Sequence, residues 1–300
     1  MMKYSLYASM LMTTLLVGCG GDNAAKSDAA ASGTSAAGAA PSGEVIRIAT
    51  EGAYAPFNLT NADGSLGGFD VDLVNALCKQ MQAKCEVKAQ DWDGIIPALK
   101  AGKYDVIIAG MSITPERQQV LDFSDPYYDN TLVFVAKSDS NFDPKNPADI
   151  DGKPIGAQRS TIASQWLEKN HPKAQSKFYD TSDNAFLELG NSRLNAVISD
   201  KAPAMTWLST DKGKGFNVKG QEINIDDHLG IAFEKGSPLK DRFNKALGEL
   251  KASGEYQKIA DKYFAVPSAN TATATAPASA ATAPASAATA PASATASAAQ

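Results

Sequence analysis

Tyr104-Asp-Val-Ile-Ile-Ala-Gly-Met-Ser-Ile-Thr-Pro-Glu-Arg117 is the stretch from which the fold is read. Tyr104 to Ala109 is a buried strand, and it delivers the chain directly to a helix start. Thr114 is a good N-cap and Pro115 occupies the first helical position, where its missing N–H costs nothing. The free N–H groups and dipole of such a start favour an anion. Ser112 adds a hydroxyl, and Arg117 in the first turn adds a fixed cation that can fork onto a carboxylate. The combination is a carboxylate clamp; the competing reading is a capped surface helix whose Arg pairs with a nearby Asp. The surrounding chain decides between them.

Upstream, Val45-Ile-Arg-Ile-Ala-Thr50 is a strand ending in Glu51-Gly-Ala-Tyr-Ala-Pro-Phe57, a loop with an acid and two aromatics. Asn61-Ala-Asp-Gly64 supplies a turn. Phe69 to Met81 has apolar residues at helical spacing, Cys85 to Ala89 reads as a strand, and Asp91 to Lys100 begins a helix that Gly102 stops. The order strand, helix, strand, helix, strand predicts an α/β fold whose mostly parallel sheet has helices on both faces. Ligands of such sheets bind beyond the carboxyl ends of the strands. Glu51, Tyr54, Trp92, Gly110 and Ser112 follow strand ends, so they are expected along one rim.

Downstream, Thr131-Leu-Val-Phe-Val-Ala136 is an apolar strand, after which the pattern restarts. Lys153 to Ala157 reads as a strand, Arg159-Ser-Thr161 leads into a helix with Trp166 and Leu167, and a helix near Asn184 to Leu189 precedes the strand Asn195-Ala-Val-Ile-Ser199. Asp200 sits at that strand's carboxyl end. Ala202 to Leu208 reads as helix, Lys212 to Gly220 as a polar loop, and Leu229-Gly-Ile-Ala-Phe233 as another apolar strand at a boundary. Ser237-Pro238 opens a long amphipathic helix, and Gly254 separates it from a last one ending at Tyr263-Phe264. Two crossing strands around the second set imply two lobes with a cleft: residues 44–130, residues 131–227, and residues 228–266 returning to complete the first.

The ends read differently from this body. Residues 1–18 hold one Lys and an apolar run too short to span a membrane, the pattern of an exported leader. Leu16-Val-Gly-Cys19 resembles a bacterial lipoprotein cleavage box, which implies a lipid on Cys19 that anchors the protein to a bilayer without spanning it. Residues 19–43, rich in Ala, Gly and Ser, read as a flexible tether. Residues 267–300 read as a disordered tail with a Thr-Ala-Pro-Ala-Ser-Ala-Ala repeat at Pro277, Pro284 and Pro291, a kind of tract able to carry O-linked sugar. The charges Lys3, Asp22, Lys26 and Asp28 cancel, so the net charge of -5 belongs to the body, and an acidic body with no basic stripe argues against nucleic acid as partner. Cys78 and Cys85, seven residues apart, would stand roughly 10 Å apart on one continuous helix. A disulfide between them therefore requires the helix to end between them, which the sequence allows.

Glu51-Gly-Ala-Tyr-Ala-Pro-Phe57, Gly68-Phe-Asp-Val-Asp72, Asp93-Gly-Ile-Ile-Pro97, Ser112-Ile-Thr-Pro-Glu-Arg117 and Phe123-Ser-Asp-Pro-Tyr127, in this order, make the chain resemble the bacterial extracytoplasmic solute-binding proteins of polar amino-acid ABC importers. The look is that of the lysine/arginine/ornithine, histidine and arginine receptors, which share the pair matched by Cys78 and Cys85. The resemblance implies a two-lobed periplasmic-binding-protein fold and a free L-amino acid as ligand, most in keeping with arginine, lysine or histidine. Its carboxylate would meet Arg117 and amides at Ser112 and Thr161, its ammonium Gly110, Ser112 and Asp200, and Ser160 beside Thr161 is counted with the ligand-binding residues. Tyr54 and Trp92 would sandwich the side chain, with Glu51 against a distal cation. Relatives often carry Gly where this chain has Arg159, which either adds a cation near the cleft or points to solvent. Cystine receptors also pair a Glu with Trp-Asp-Gly, and glutamine receptors share the class.

The mechanism so implied is closure of the lobes about strands near Asn130 and Asp227, with Arg117 and Asp200 gripping opposite ends of a zwitterion, and delivery to a membrane permease. No cofactor or metal is expected: Gly64, Gly67 and Gly68 form no phosphate loop and no Cys/His cluster has ligand spacing. The rival class is an enzyme of dehydratase type, for which Glu51 is the candidate general acid.

Overall fold

Alternation along β1 (Val45–Thr50) sends Ile46 and Ile48 to one face of a sheet and Ala49 to the other, and both faces are covered. The computed structural model describes residues 45–264. The expected leader, the tether with Cys19 and the tail lie outside the described residues.

After β1 come three short strands, β2 (Ala53–Tyr54), β3 (Asn58–Thr60) and β4 (Leu66–Gly67), in a small antiparallel sheet where the sequence suggests only a loop and a turn. Then follow α1 (Phe69–Gln80), β5 (Lys84–Ala89), α2 (Trp92–Lys100), β6 (Val106–Ile107), α3 (Pro115–Val120), β7 (Leu121–Phe123) and the long β8 (Tyr128–Lys137). The second set runs α4 (Pro147–Ile150), β9 (Pro154–Gln158), α5 (Ile162–Asn170), β10 (Gln175–Tyr179), α6 (Ser182–Gly190), β11 (Ala196–Asp200) and α7 (Lys201–Leu208). A long β12 (Phe216–Leu229), a short β13 (Ala232–Glu234), α8 (Leu239–Ala252) and α9 (Glu255–Phe264) complete the described chain.

Two five-stranded sheets result, each the centre of one lobe, in the orders β5-β1-β6-β13-β7 and β10-β9-β11-β8-β12. The expectation of mostly parallel sheets needs correction, because each sheet is mixed. The pairs of β1 with β5 and β6, and of β9 with β10 and β11, are parallel. The remaining pairs are antiparallel, since β7, β8, β12 and β13 are the segments by which the chain leaves one lobe and returns. The region expected to be a polar loop, Lys212 to Gly220, instead leads into β12, whose register on β8 shifts twice between Lys219 and Asp227. As a half-exposed edge strand it needs few apolar residues, so hydrophobic alternation does not reveal it.

In the first lobe α1, α8 and α9 cover one face through Leu73, Leu77, Phe243, Leu247 and Ile259, while α2 covers the other through Ile95 and Leu99. In the second, Ala163 and Leu167 of α5 lie against Phe134 and Ile198, and Phe186 and Trp207 of α6 and α7 against Val135 and Val197. Cys78 and Cys85 are joined, α1 ending between them, with Cα atoms 6.2 Å apart.

One knot of polar groups fixes the strand ends of the first lobe. Asp70, fully buried in the first turn of α1, accepts from Asn58 Nδ2 at 3.0 Å, Gly110 N at 2.8 Å and Tyr127 Oη at 2.9 Å. Gly68 caps α1 at φ 108°, and a Cβ there would meet the Phe57 carbonyl oxygen at 2.4 Å, so only glycine lets the loop after β1 lie on the helix start.

Candidate functional site

Local sequence builds one wall of the site. The Thr114 hydroxyl accepts from Arg117 N at 3.2 Å and caps α3, holding Arg117 in its first turn. The guanidinium is buried; Nη1 donates to the Ser112 carbonyl at 2.9 Å and Nη2 to the Ser160 carbonyl, in the other lobe, also at 2.9 Å. The Trp92 ring lies 5.2 Å from it, a cation–π arrangement. Burial pulls its pKa down from the ordinary arginine value, opposed by Asp227 and Asp200. Described residues engage two of its five N–H groups, which leaves donors that can face a ligand.

Above the strand end, Gly110 adopts φ 56°, and a Cβ would press on the Tyr54 ring at 3.1 Å. The Ser112 hydroxyl donates to Asp227 Oδ2 at 3.0 Å, leaving its oxygen as an acceptor. The same carboxylate oxygen accepts from Asn130 Nδ2 at 2.7 Å, and Asn130 and Asp227 are paired in register between β8 and β12.

The second lobe contributes the ends of β9 and β11 and the start of α5. Thr161 caps α5 in a reciprocal box with Ser164, a contribution of about 1 kcal/mol, so the helix begins beside the site. Ser160 stands before it at φ 58°, a conformation that costs a non-glycine residue about 1–2 kcal/mol. Asp200 ends β11 and precedes α7, yet its side chain makes no cap bond. It is 4 % exposed, its Oδ2 accepts from Tyr54 Oη at 2.5 Å, and its Oδ1 has no hydrogen-bond partner among the described residues. Burial pushes its carboxyl up to about 6, against the Tyr54 hydroxyl and the Asn130 amide. Glu51, 8 % exposed, accepts from Gln158 Nε2 at 2.7 Å. Burial pushes it up to about 7, against that hydrogen bond and helped by Asp183, Asp91 and Asp93.

These groups line one chamber, walled by Glu51, Tyr54, Trp92, Gly110, Ser112, Arg117, Thr161 and Asp200, together with Ala109, Gln158 and Ile162. Of the nine residues assigned to the ligand from the sequence, Ser160 alone is not a wall; its carbonyl instead holds Arg117. Sequence reasoning passed over Gln158, although it ends β9 as Asp200 ends β11 and the same carboxyl-end rule applies to both. Asp70 and Asp227 were also passed over as site supports, and their partners are too distant in the chain to signal them. Arg159 stays outside the chamber, half exposed, with its guanidinium against Asp180 and Asp93.

Chemically the chamber is bipolar. A buried cation with spare donors faces carboxylates with spare acceptors, which suits a small zwitterion carrying a further polar or cationic group.

Residues 46–266 match the family model of bacterial extracellular solute-binding proteins, family 3. The chain is 39% identical over 230 residues to the ABC transporter arginine-binding protein 1 of Escherichia coli (strain K12), a match covering 75% of this chain and 93% of that protein. It is 37% identical over 232 residues to the lysine/arginine/ornithine-binding periplasmic protein of the same organism, covering 74% and 88%. The solved structure of an ancestral arginine-binding protein bound to arginine superposes with a TM-score of 0.69 at 38% identity, covering 73% of this chain and 98% of that one.

Proposed function

We propose, because this chain belongs to the bacterial extracellular solute-binding proteins of family 3, that it is an exported receptor for a free L-amino acid and hands that ligand to the permease of an ABC importer. The observation that carries the reading is the bipolar chamber: Arg117 and the unpartnered Asp200 Oδ1 belong to different lobes and line one space. In this reading Arg117 and the start of α5 at Thr161 take the carboxylate. Asp200, Ser112 and the Gly110 carbonyl take the ammonium, and Tyr54 and Trp92 flank the side chain. Glu51, held by Gln158, meets a distal cation, which favours arginine, lysine or histidine and is supported by the binding named for the two relatives.

The lobes, residues 44–130 with 228–266 and residues 131–227, close by bending where β8 and β12 pair Asn130 with Asp227. Closure is favoured by bonds that only the closed form makes, such as Tyr54 to Asp200 and Gln158 to Glu51. Export suits the Cys78–Cys85 bond, and a lipid on Cys19 would hold the receptor at a membrane. A thermal-shift screen of the twenty amino acids with ornithine and cystine tests the assignment. A rise with one or more basic amino acids is expected; a rise with cystine or glutamine alone would replace the ligand, and no rise at all would remove the receptor reading.

One observation favours a second reading, a dehydratase. Glu51, with its carboxyl near 7, has the protonation behaviour of a general acid. Turnover of a substrate, in place of tight reversible binding, would establish it.

A further inference from the structure

Just outside the chamber the mouth of the cleft is acidic. Asp91 and Asp93 stand at the start of α2 in one lobe, and Asp180 and Asp183 before and within the first turn of α6 in the other. Arg159, between β9 and α5, meets one acid of each lobe, Asp93 and Asp180. Its Nη2 lies 2.9 Å from Asp180 Oδ1 and 3.4 Å from the Phe178 carbonyl, both in its own lobe. Its Nη1 reaches across the cleft to Asp93 Oδ2 at 3.6 Å. Two carboxylates from opposite lobes therefore share one guanidinium. Deprived of it, closing lobes would drive like charges together at the mouth. The Arg159 carbonyl also accepts from Trp92 Nε1 at 3.1 Å, and that bond belongs to the main chain and survives a change of side chain.

We propose that Arg159 is a positioning residue that latches the closed lobes, turning a repulsive mouth into an attractive one and slowing ligand release. The proposal rests on reading the chamber as an amino-acid site. The pair is half exposed, so its effect is modest, about two- to fivefold in rate. It acts on departure more than arrival, because the cross-cleft contact exists only after closure.

Stopped-flow tryptophan fluorescence with L-arginine tests it on wild type, Arg159→Ala, Asp93→Asn and the double variant. The dissociation rate should rise about two- to fivefold in Arg159→Ala with little change in association. Asp93→Asn in that background should return it toward the wild-type value, because it removes the repulsion that Arg159 had cancelled. Arg159→Gln, which keeps the length and drops the charge, gives the same comparison if alanine lowers the melting temperature of the ligand-free protein. A wild-type rate in both Arg159 variants, or no rescue by Asp93→Asn, overturns the latch alone. A wild-type protein that binds no amino acid overturns the site reading and the latch with it.

Discussion

The floor beneath Gly110 and the chamber above it each bury an aspartate, and the two are finished differently. Asp70, under the floor, has its carboxyl pushed up to about 6 by burial and is met by three donors from Asn58, Gly110 and Tyr127. Asp200, in the chamber, is pushed to the same value by the same cause, yet one of its oxygens has no partner among the described residues. Burial and titration are thus alike in both places, and hydrogen-bond completion separates them. A buried carboxylate whose acceptors are filled serves the fold; one left with an open acceptor is kept for a donor from outside.

The largest consequence of this contrast concerns stability. Asp70→Ala strands three buried donors, and urea unfolding of the ligand-free protein should show a loss of about 3–5 kcal/mol. Asp200→Asn should leave that unfolding curve nearly unchanged, or shift it to higher urea, while calorimetry shows affinity for amino acids falling by about 2–4 kcal/mol. If the two variants lose stability equally, the distinction between a filled and an open carboxylate fails.

Glu51 extends the comparison to a second acid of the chamber, one partnered by Gln158. Glu51→Gln should weaken arginine by about 1.5–3 kcal/mol in calorimetry and barely affect glutamine. Equal losses for both ligands would take Glu51 out of side-chain recognition.

The smallest effect expected is in pH. Glu51 and Asp200 have carboxyls raised above their unfolded values, to about 7 and about 6. From about pH 4 up to these values the folded protein keeps protons that the unfolded chain has released, so ligand-free stability falls as pH rises. A cationic ligand favours the ionised carboxylates and opposes that fall. The rise in melting temperature with saturating arginine should therefore be greater at pH 7.5 than at pH 5, by the equivalent of about 1 kcal/mol. A ligand shift that is flat across this range would mean that neither acid meets the ligand's positive charge.

The parts of the fold readable beforehand were those whose signal is local. Thr114, Pro115 and Arg117 announce a helix start within four residues, and the apolar run before them announces the strand that carries it. Asp200 and Glu51 stand at strand ends, a position readable from hydrophobic pattern alone. The small sheet of β2, β3 and β4 escaped because two-residue strands have no period to detect. β12 escaped because its partner, β8, supplies the apolar contacts that an edge strand otherwise needs from its own side chains. Gln158 stands at a strand end as Asp200 does, but what it and Asp227 do there consists of bonds to residues 107 and 115 positions away, which no local pattern signals.

By itself the amino-acid order determined the alternation of strands and helices, the capped start that presents Arg117, and the acids and aromatics available at strand ends, because each depends on neighbours within a few residues. Only the tertiary structure decided which of those groups face one another. The meeting of Arg117 with Ser160, Tyr54 with Asp200 and Gln158 with Glu51 depends on how two separately built lobes approach, and so does the completion of Asp70 beside the open acceptor of Asp200. The physical reason is distance along the chain: hydrophobic period and capping act over one or two turns, whereas a hydrogen bond between lobes is set by the packing of both sheets and the strands that join them.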